Sequence, residues 1–146
     1  MRVIEAMTHH CERLKASDSI RSAAQRMGEQ DIGMILVEDS QGEMRGVVTD
    51  RDITCRAVAE GMSLDAPLEQ CMSEELVTCH TQDSLYDAIE LMKRERVRRL
   101  LVLDLDEKPA GVLAQADVAA AIASYGPAGE MIEEVSKPGG KHSTQH

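Results

Sequence analysis

The strongest constraint on this chain is that its sequence is written twice. Gly46–Ile53 reads GVVTDRDI, and 65 positions later Gly111–Val118 reads GVLAQADV. At the same offset, without a gap, Met7 matches Met72 and Asp18-Ser19 matches Asp83-Ser84. Ala23 and Met27 match Ala88 and Met92, Leu36-Val37 matches Leu101-Val102, and Asp39 matches Asp104. Self-similarity at a fixed period sets the architecture before any local reading does. The 146 residues therefore hold two similar units of roughly 60 residues, each too small to bury a comfortable core alone.

The local pattern is the same in both copies. Ile20, Ala23, Ala24 and Met27 fall at helical spacing, as do Leu85, Ala88, Ile89 and Met92. Asp18 and Asp83 stand where helix N-caps are expected. Each helix is followed by an apolar run, IGMILV from Ile32 and VRRLLVL from Val97, which predicts a strand. A polar turn leads to a second strand at GVV or GVL, close enough to make a hairpin. Second helices are predicted from about Asp50 to Glu60 and from about Ala116 to Ser124, with Gly61 and Gly126 as stops. Weaker strands are predicted around Arg13–Lys15 and Leu76–His80. Each copy thus reads β-α-β-β-α, and the fold class is α+β: tandem pseudo-symmetric repeats packed sheet to sheet, with one cleft per copy. The expected division is 1–66, 67–126 and a tail at 127–146. In that tail PAGEMIEEV suits a short helix with Met131, Ile132 and Val135 on one side, and the chain from Ser136 reads as disordered.

Composition narrows the chemistry. There is no Phe or Trp, the aromatics are Tyr86 and Tyr125, and nine Met help fill the core. A bound ring must therefore lie between aliphatic side chains. The net charge of −10 opposes nucleic-acid binding, which depends on phosphate neutralisation, despite the basic run Lys93, Arg94, Arg96, Arg98 and Arg99. No apolar run reaches membrane-span length, no secretory signal is visible, and Cys11, Cys55, Cys71 and Cys79 form no C-x-x-C pair. A cytoplasmic protein with reduced thiols is expected.

These features resemble a CBS-domain pair, or Bateman module, over about residues 3 to 125, and the layout is similar to short stand-alone bacterial CBS proteins. The resemblance is carried by the Met-Thr and Met-Ser starts at Met7 and Met72, the Asp-Ser pairs before the helices, VRRLLVL, and above all GVVTDRDI. It implies a regulatory module binding AMP, ADP or ATP, with NAD or S-adenosylmethionine as further ligands and no obligatory cofactor. It implies that the Asp52 carboxylate accepts from ribose hydroxyls, Thr49 bonds a phosphate, and Asp117 is the second ribose ligand. It also implies a basic contribution from Arg98 or Arg99 on the strand; Arg51, inside the motif, and His80 are further candidates. The helix after Thr49 should offer N–H groups to the phosphate. Ala114 replaces the threonine in copy two and has no hydroxyl to offer a phosphate.

Competing readings stand beside this one. Thr-x-x-Asp approximates a capping box, although the usual partner is Glu or Gln and Asp is short for the reach. Ala114 has no capping hydroxyl, so the retained Asp117 favours a ligand role. The alternative function is a non-binding dimerisation scaffold with vestigial clefts. His9, His10 and Cys11 lack zinc-site spacing, so no metal site is expected. No P-loop or nucleophile elbow is present, so no enzyme is expected either. A homodimer and an unidentified regulated protein are the expected partners.

Overall fold

The duplication seen in the sequence becomes a pair of three-stranded sheets. The computed structural model describes residues 1–124; Gly126 and the expected tail helix and disordered segment lie outside them. The chain forms α1 (Val3–Ala6), β1 (Arg13–Lys15), α2 (Ile20–Gln30), β2 (Met34–Glu38), β3 (Met44–Thr49) and α3 (Asp50–Asp52), which runs on as a π-helical segment (Ile53–Val58). After a 3-10 turn (Leu68–Gln70) come β4 (Thr78–His80), α4 (Leu85–Glu95), β5 (Arg99–Leu103), β6 (Pro109–Ala114) and α5 (Gln115–Ser124). The sheet orders are β1-β2-β3 and β4-β5-β6. In each, the first pair is parallel and the second is an antiparallel hairpin, with a register shift after Val37 and again after Val102. The fold is α+β with the tandem β-α-β-β-α order expected.

Several matched residues have simple structural duties. The Asp39 carboxylate accepts the N–H groups of Gln41 and Glu43, and Asp104 accepts those of Asp106 and Lys108, so each closes its hairpin turn. The helix caps differ from expectation by one residue. Ser19 and Ser84 are the N-caps, accepting from Ser22 and Asp87 N–H groups. Asp18 and Asp83 instead fold back one turn earlier, accepting from Lys15 and His80 N–H groups. A short carboxylate tightens the strand-to-helix turn, and the serine hydroxyl then meets the orphan donors. Gly61 takes the left-handed φ of +73° that a helix stop favours.

The compact units do not follow the repeat boundary. One comprises Glu12–Leu76; the other comprises Met1–Cys11 with the described chain from Val77 to Ser124. The division expected after residue 66 therefore differs from the packing, because the segment before each first strand is exchanged. Val3 and Met7 are buried among Leu85, Met92, Leu100, Val102 and Leu113. Leu68 and Met72 are buried among Ile20, Met27, Ile35, Val37 and Val48. Burying two such side chains contributes about 3–6 kcal/mol per segment.

Backbone bridges complete the exchange. Thr8 N–H donates to the Val112 carbonyl at 2.9 Å and Val112 N–H to the Thr8 carbonyl at 3.0 Å. Ser73 and Val47 make the same reciprocal pair at 2.7 and 2.9 Å. This explains the glycines that open the repeated phrase. A Cβ on Gly46 would lie 2.3 Å from the Ser73 carbonyl oxygen, and one on Gly111 2.0 Å from that of Thr8. Both obstacles are backbone, so neither can swing away. Gly46→Ala and Gly111→Ala should each destabilise the chain by about 2–3 kcal/mol in urea unfolding. Gly28→Ala, in open space on α2, should be stabilising by about 0.5–1 kcal/mol. Equal stability of Gly111→Ala and wild type would refute the close-approach account.

Candidate functional site

The turn from β3 into α3 gathers three of the residues singled out by the sequence. Thr49 has extended backbone, and its Oγ1 accepts the Asp52 N–H at 3.1 Å. Asp52 Oδ2 accepts the Thr49 N–H at 3.0 Å. The capping box is therefore complete, and the expectation that Asp is too short is corrected: a helix N-terminus directly after a strand brings the N3 carboxylate close enough. The expectation of N–H groups available to a phosphate is corrected too. Asp50 N–H donates to the Gly33 carbonyl at 3.0 Å, Arg51 N–H to Asp50 Oδ1 at 2.8 Å, and Asp52 N–H to Thr49. What the turn still presents is the Thr49 hydroxyl proton, Asp52 Oδ1 and the exposed Arg51 guanidinium. Thr49 and Asp52 are half-buried.

The second copy repeats the frame with different chemistry. Asp117 Oδ2 accepts the Ala114 N–H at 2.8 Å, and Gln115 N–H donates to the Arg98 carbonyl at 2.9 Å. Asp117 thus has a capping duty without a threonine, which removes the argument that its retention points to a ligand. Its other oxygen, Oδ1, lies 3.4 Å from the Thr8 hydroxyl, the donor in that contact. Thr8 was not among the sequence candidates. Its signal was the repeated Met-Thr and Met-Ser start, which the exchange carries to the end of β6.

Arg99 opens β5 opposite Ala114 and is half-buried, while Arg98 is exposed. Alternation along β5 puts Arg99 on the face opposite Leu100 and Val102, which belong to the core. Both arginines therefore stand beside the start of α5. His80 does not join them. It pairs with Leu103 at the other end of the sheet, about 13 Å along the strand from Arg99, and its Nε2 lies 2.7 Å from Glu107 Oε2. A cavity of about 440 Å³ lies along α4, with Asp83, Asp87, Glu90 and Arg94 in its lining; its excess of carboxylates does not suit a phosphate.

No group of three or more His, Cys, Asp or Glu suited to a metal ion occurs among the described residues. No helix among them is long and apolar enough to cross a membrane.

A family model described as the CBS domain matches the chain twice, over residues 3–57 and 68–124. The chain is 34% identical over 134 residues to the CBS domain-containing protein YhcV of Bacillus subtilis (strain 168), covering 92% of this chain and 94% of that protein. Its fold is similar to that of the CBS domain protein PAE2072 from Pyrobaculum aerophilum complexed with AMP, with a TM-score of 0.77, 24% identity, and 89% and 99% of the two chains covered. It is also similar to the CBS domain pair of protein MJ0100 in complex with 5′-methylthioadenosine and S-adenosyl-L-methionine, with a TM-score of 0.76, 18% identity, and 86% and 98% covered.

Two thiols are buried, Cys71 and Cys79. Burial, then the Asp52 charge, push the Cys71 thiol up against a smaller opposing effect of Arg56. Burial, then Asp83, push Cys79 from 9.0 up to about 12. Both shifts favour the neutral thiol in the folded state. The unfolded thiols ionise first as pH rises, so the contribution of Cys79 to stability is intact below pH 9.0 and is lost between 9.0 and about 12, and that of Cys71 is lost in the same direction. Iodoacetamide at pH near 8 should modify exposed Cys55 first, with Cys71 and Cys79 protected until the chain unfolds. Mass-spectrometric mapping of the labelled peptides reads this directly; labelling of Cys79 at the rate of Cys55 would contradict it.

Proposed function

The chain belongs to the CBS domain family, and from that premise we propose that it is a regulatory module that binds an adenosine nucleotide at the turn between β3 and α3. The observation that carries the reading is the state of Asp52. One carboxylate oxygen caps the helix, the Thr49 hydroxyl accepts the Asp52 N–H, and among the described residues no hydrogen bond is made by the other carboxylate oxygen. An ionised carboxylate accepts a vicinal diol well, and Arg51 can engage a phosphate that the Asp50 and Asp52 charges would otherwise repel. Thr49 can donate its hydroxyl while accepting from Asp52. The AMP and S-adenosylmethionine complexes of the similar folds support the adenosine class. The absence of stacking rings in this chain directs the base between aliphatic side chains.

Binding alters a downstream event only if the ligand favours one of two states. The output is a change in a dimer of this chain or in a partner protein, with no catalytic step. The scaffold reading has one observation in its favour, confined to the second copy: Ala114 lacks the hydroxyl, and both Asp117 oxygens already have donors.

Asp52→Asn tests the proposal better than Asp52→Ala, because the asparagine oxygen still caps Thr49 N–H while the charge is lost. Thermal unfolding with AMP, ADP, ATP, NAD and S-adenosylmethionine should show a rise with at least one. At a hundredfold excess over Kd the stabilisation is about 2.7 kcal/mol, or about 5–10 °C. In Asp52→Asn the affinity should fall about 10- to 100-fold, the range for a hydrogen bond to a charged group, with the unliganded midpoint nearly unchanged. No shift with any of the five, or an unchanged shift in Asp52→Asn, would remove the ribose assignment.

A further inference from the structure

The two copies differ in how much of the aspartate is already used. In the second unit, Asp117 Oδ2 takes the Ala114 N–H at 2.8 Å and Oδ1 takes the Thr8 hydroxyl at 3.4 Å. In the first unit the position matching Thr8 is Ser73. Its backbone makes the same bridge, to Val47, but among the described residues no hydrogen bond joins its hydroxyl to Asp52. The difference follows from side chains, because the backbone exchange is the same. A ligand hydroxyl reaching Asp52 meets an oxygen without a donor. One reaching Asp117 meets an oxygen that the chain has already engaged.

From this asymmetry we infer that Thr8 is a specificity-determining residue of the second unit, its hydroxyl standing in for a ligand hydroxyl on Asp117 so that the first copy binds nucleotide ahead of the second. The inference rests on the nucleotide reading above. The contact is long against the usual 2.7–2.8 Å of an O–H···O bond, so it yields to a better donor. The ligand then gains only the difference between its own hydrogen bond and the one it displaces. Removing the hydroxyl should therefore tighten the second site by about two- to tenfold, the span of a typical net hydrogen bond. Thr8 is exposed and its anchoring is through backbone, so its side chain can be changed without undoing the exchange.

Isothermal titration with AMP reads both sites at once. Thr8→Val keeps the β-branched shape and removes the donor. It should tighten the weaker AMP event about two- to tenfold, while the stronger event and the unliganded melting temperature stay as in wild type. Thr8→Ala should repeat this, and Thr8→Ser should behave as wild type. In Asp52→Asn the strong event should weaken about 10- to 100-fold, and adding Thr8→Val should still tighten the other event. A weaker event that is unchanged or weakened in Thr8→Val, with the strong event intact, overturns this inference and leaves the nucleotide reading standing. Absence of AMP binding in both wild type and Thr8→Val overturns the two together.

Discussion

Everything in this structure depends on two backbone segments approaching two glycines. Met7-Thr8 and Met72-Ser73 each lie against the hairpin of the other copy, bridged to Val112 and Val47. The approach is so close that a single methyl group at Gly46 or Gly111 would meet a carbonyl oxygen. The exchange solves the size problem of a unit of about 60 residues. Each hairpin gains a further edge partner and a buried Met. The same contact delivers a hydroxyl-bearing residue, Thr8 or Ser73, to the strand that leads into the second helix. Architecture and candidate site share one device.

The aspartates show why a motif can be read correctly and still argue for less than it promises. A carboxylate has two oxygens, and in both copies one is committed to the helix start. That duty alone accounts for keeping Asp in both phrases, since losing a cap costs about 1 kcal/mol. The ligand argument therefore rests on what remains after capping: one free oxygen at Asp52, one hydroxyl at Thr49, one guanidinium at Arg51. The helix dipole assists less than its position suggests, because the N–H groups of Asp50, Arg51 and Asp52 already have acceptors within the chain. The two acidic residues of that turn further weaken its attraction for phosphate.

The repeat, the order of elements and the helix faces were legible, because periodicity and a constant offset report backbone geometry directly. Ile20, Ala23 and Met27 are buried as their spacing requires, as are Leu85, Ala88 and Met92. The hairpins were legible for the same reason. The exchange was not, because Met7 and Met72 read as apolar residues before a strand and nothing local says which sheet receives them. The cap assignment missed by one residue, since Asp and Ser are both good caps and only the path of the chain decides between them. The π-helical turn at Ile53–Val58 left no mark in the apolar pattern; within it Ala57 is buried and Cys55 is exposed. His80, a further candidate in the sequence, is carried by the parallel register to the far end of the sheet from Arg99.

The duplication itself separates scaffold from chemistry. Positions identical in both copies have duties in the fold: Ser19 and Ser84 cap, Asp39 and Asp104 close turns, Gly46 and Gly111 admit the exchanged segments, and Asp52 and Asp117 hold helix starts. The positions of the proposed ligand contacts differ between the copies. Thr49 faces Ala114 across the repeat, Arg51 faces Ala116, Gly33 faces Arg98, Met34 faces Arg99, and Ser73 faces Thr8. If both turns bound the same ligand in the same way, these would be the positions held alike. Their divergence within an unchanged frame means that the two turns present different donors and charges. In the first copy hydroxyl, guanidinium and carboxylate converge on one turn. In the second, the positive charge moves to the neighbouring strand and the aspartate is engaged from both sides. At the turns themselves the difference lies in side chains; beyond them the first copy runs on as a π-helical segment and the second as an α-helix.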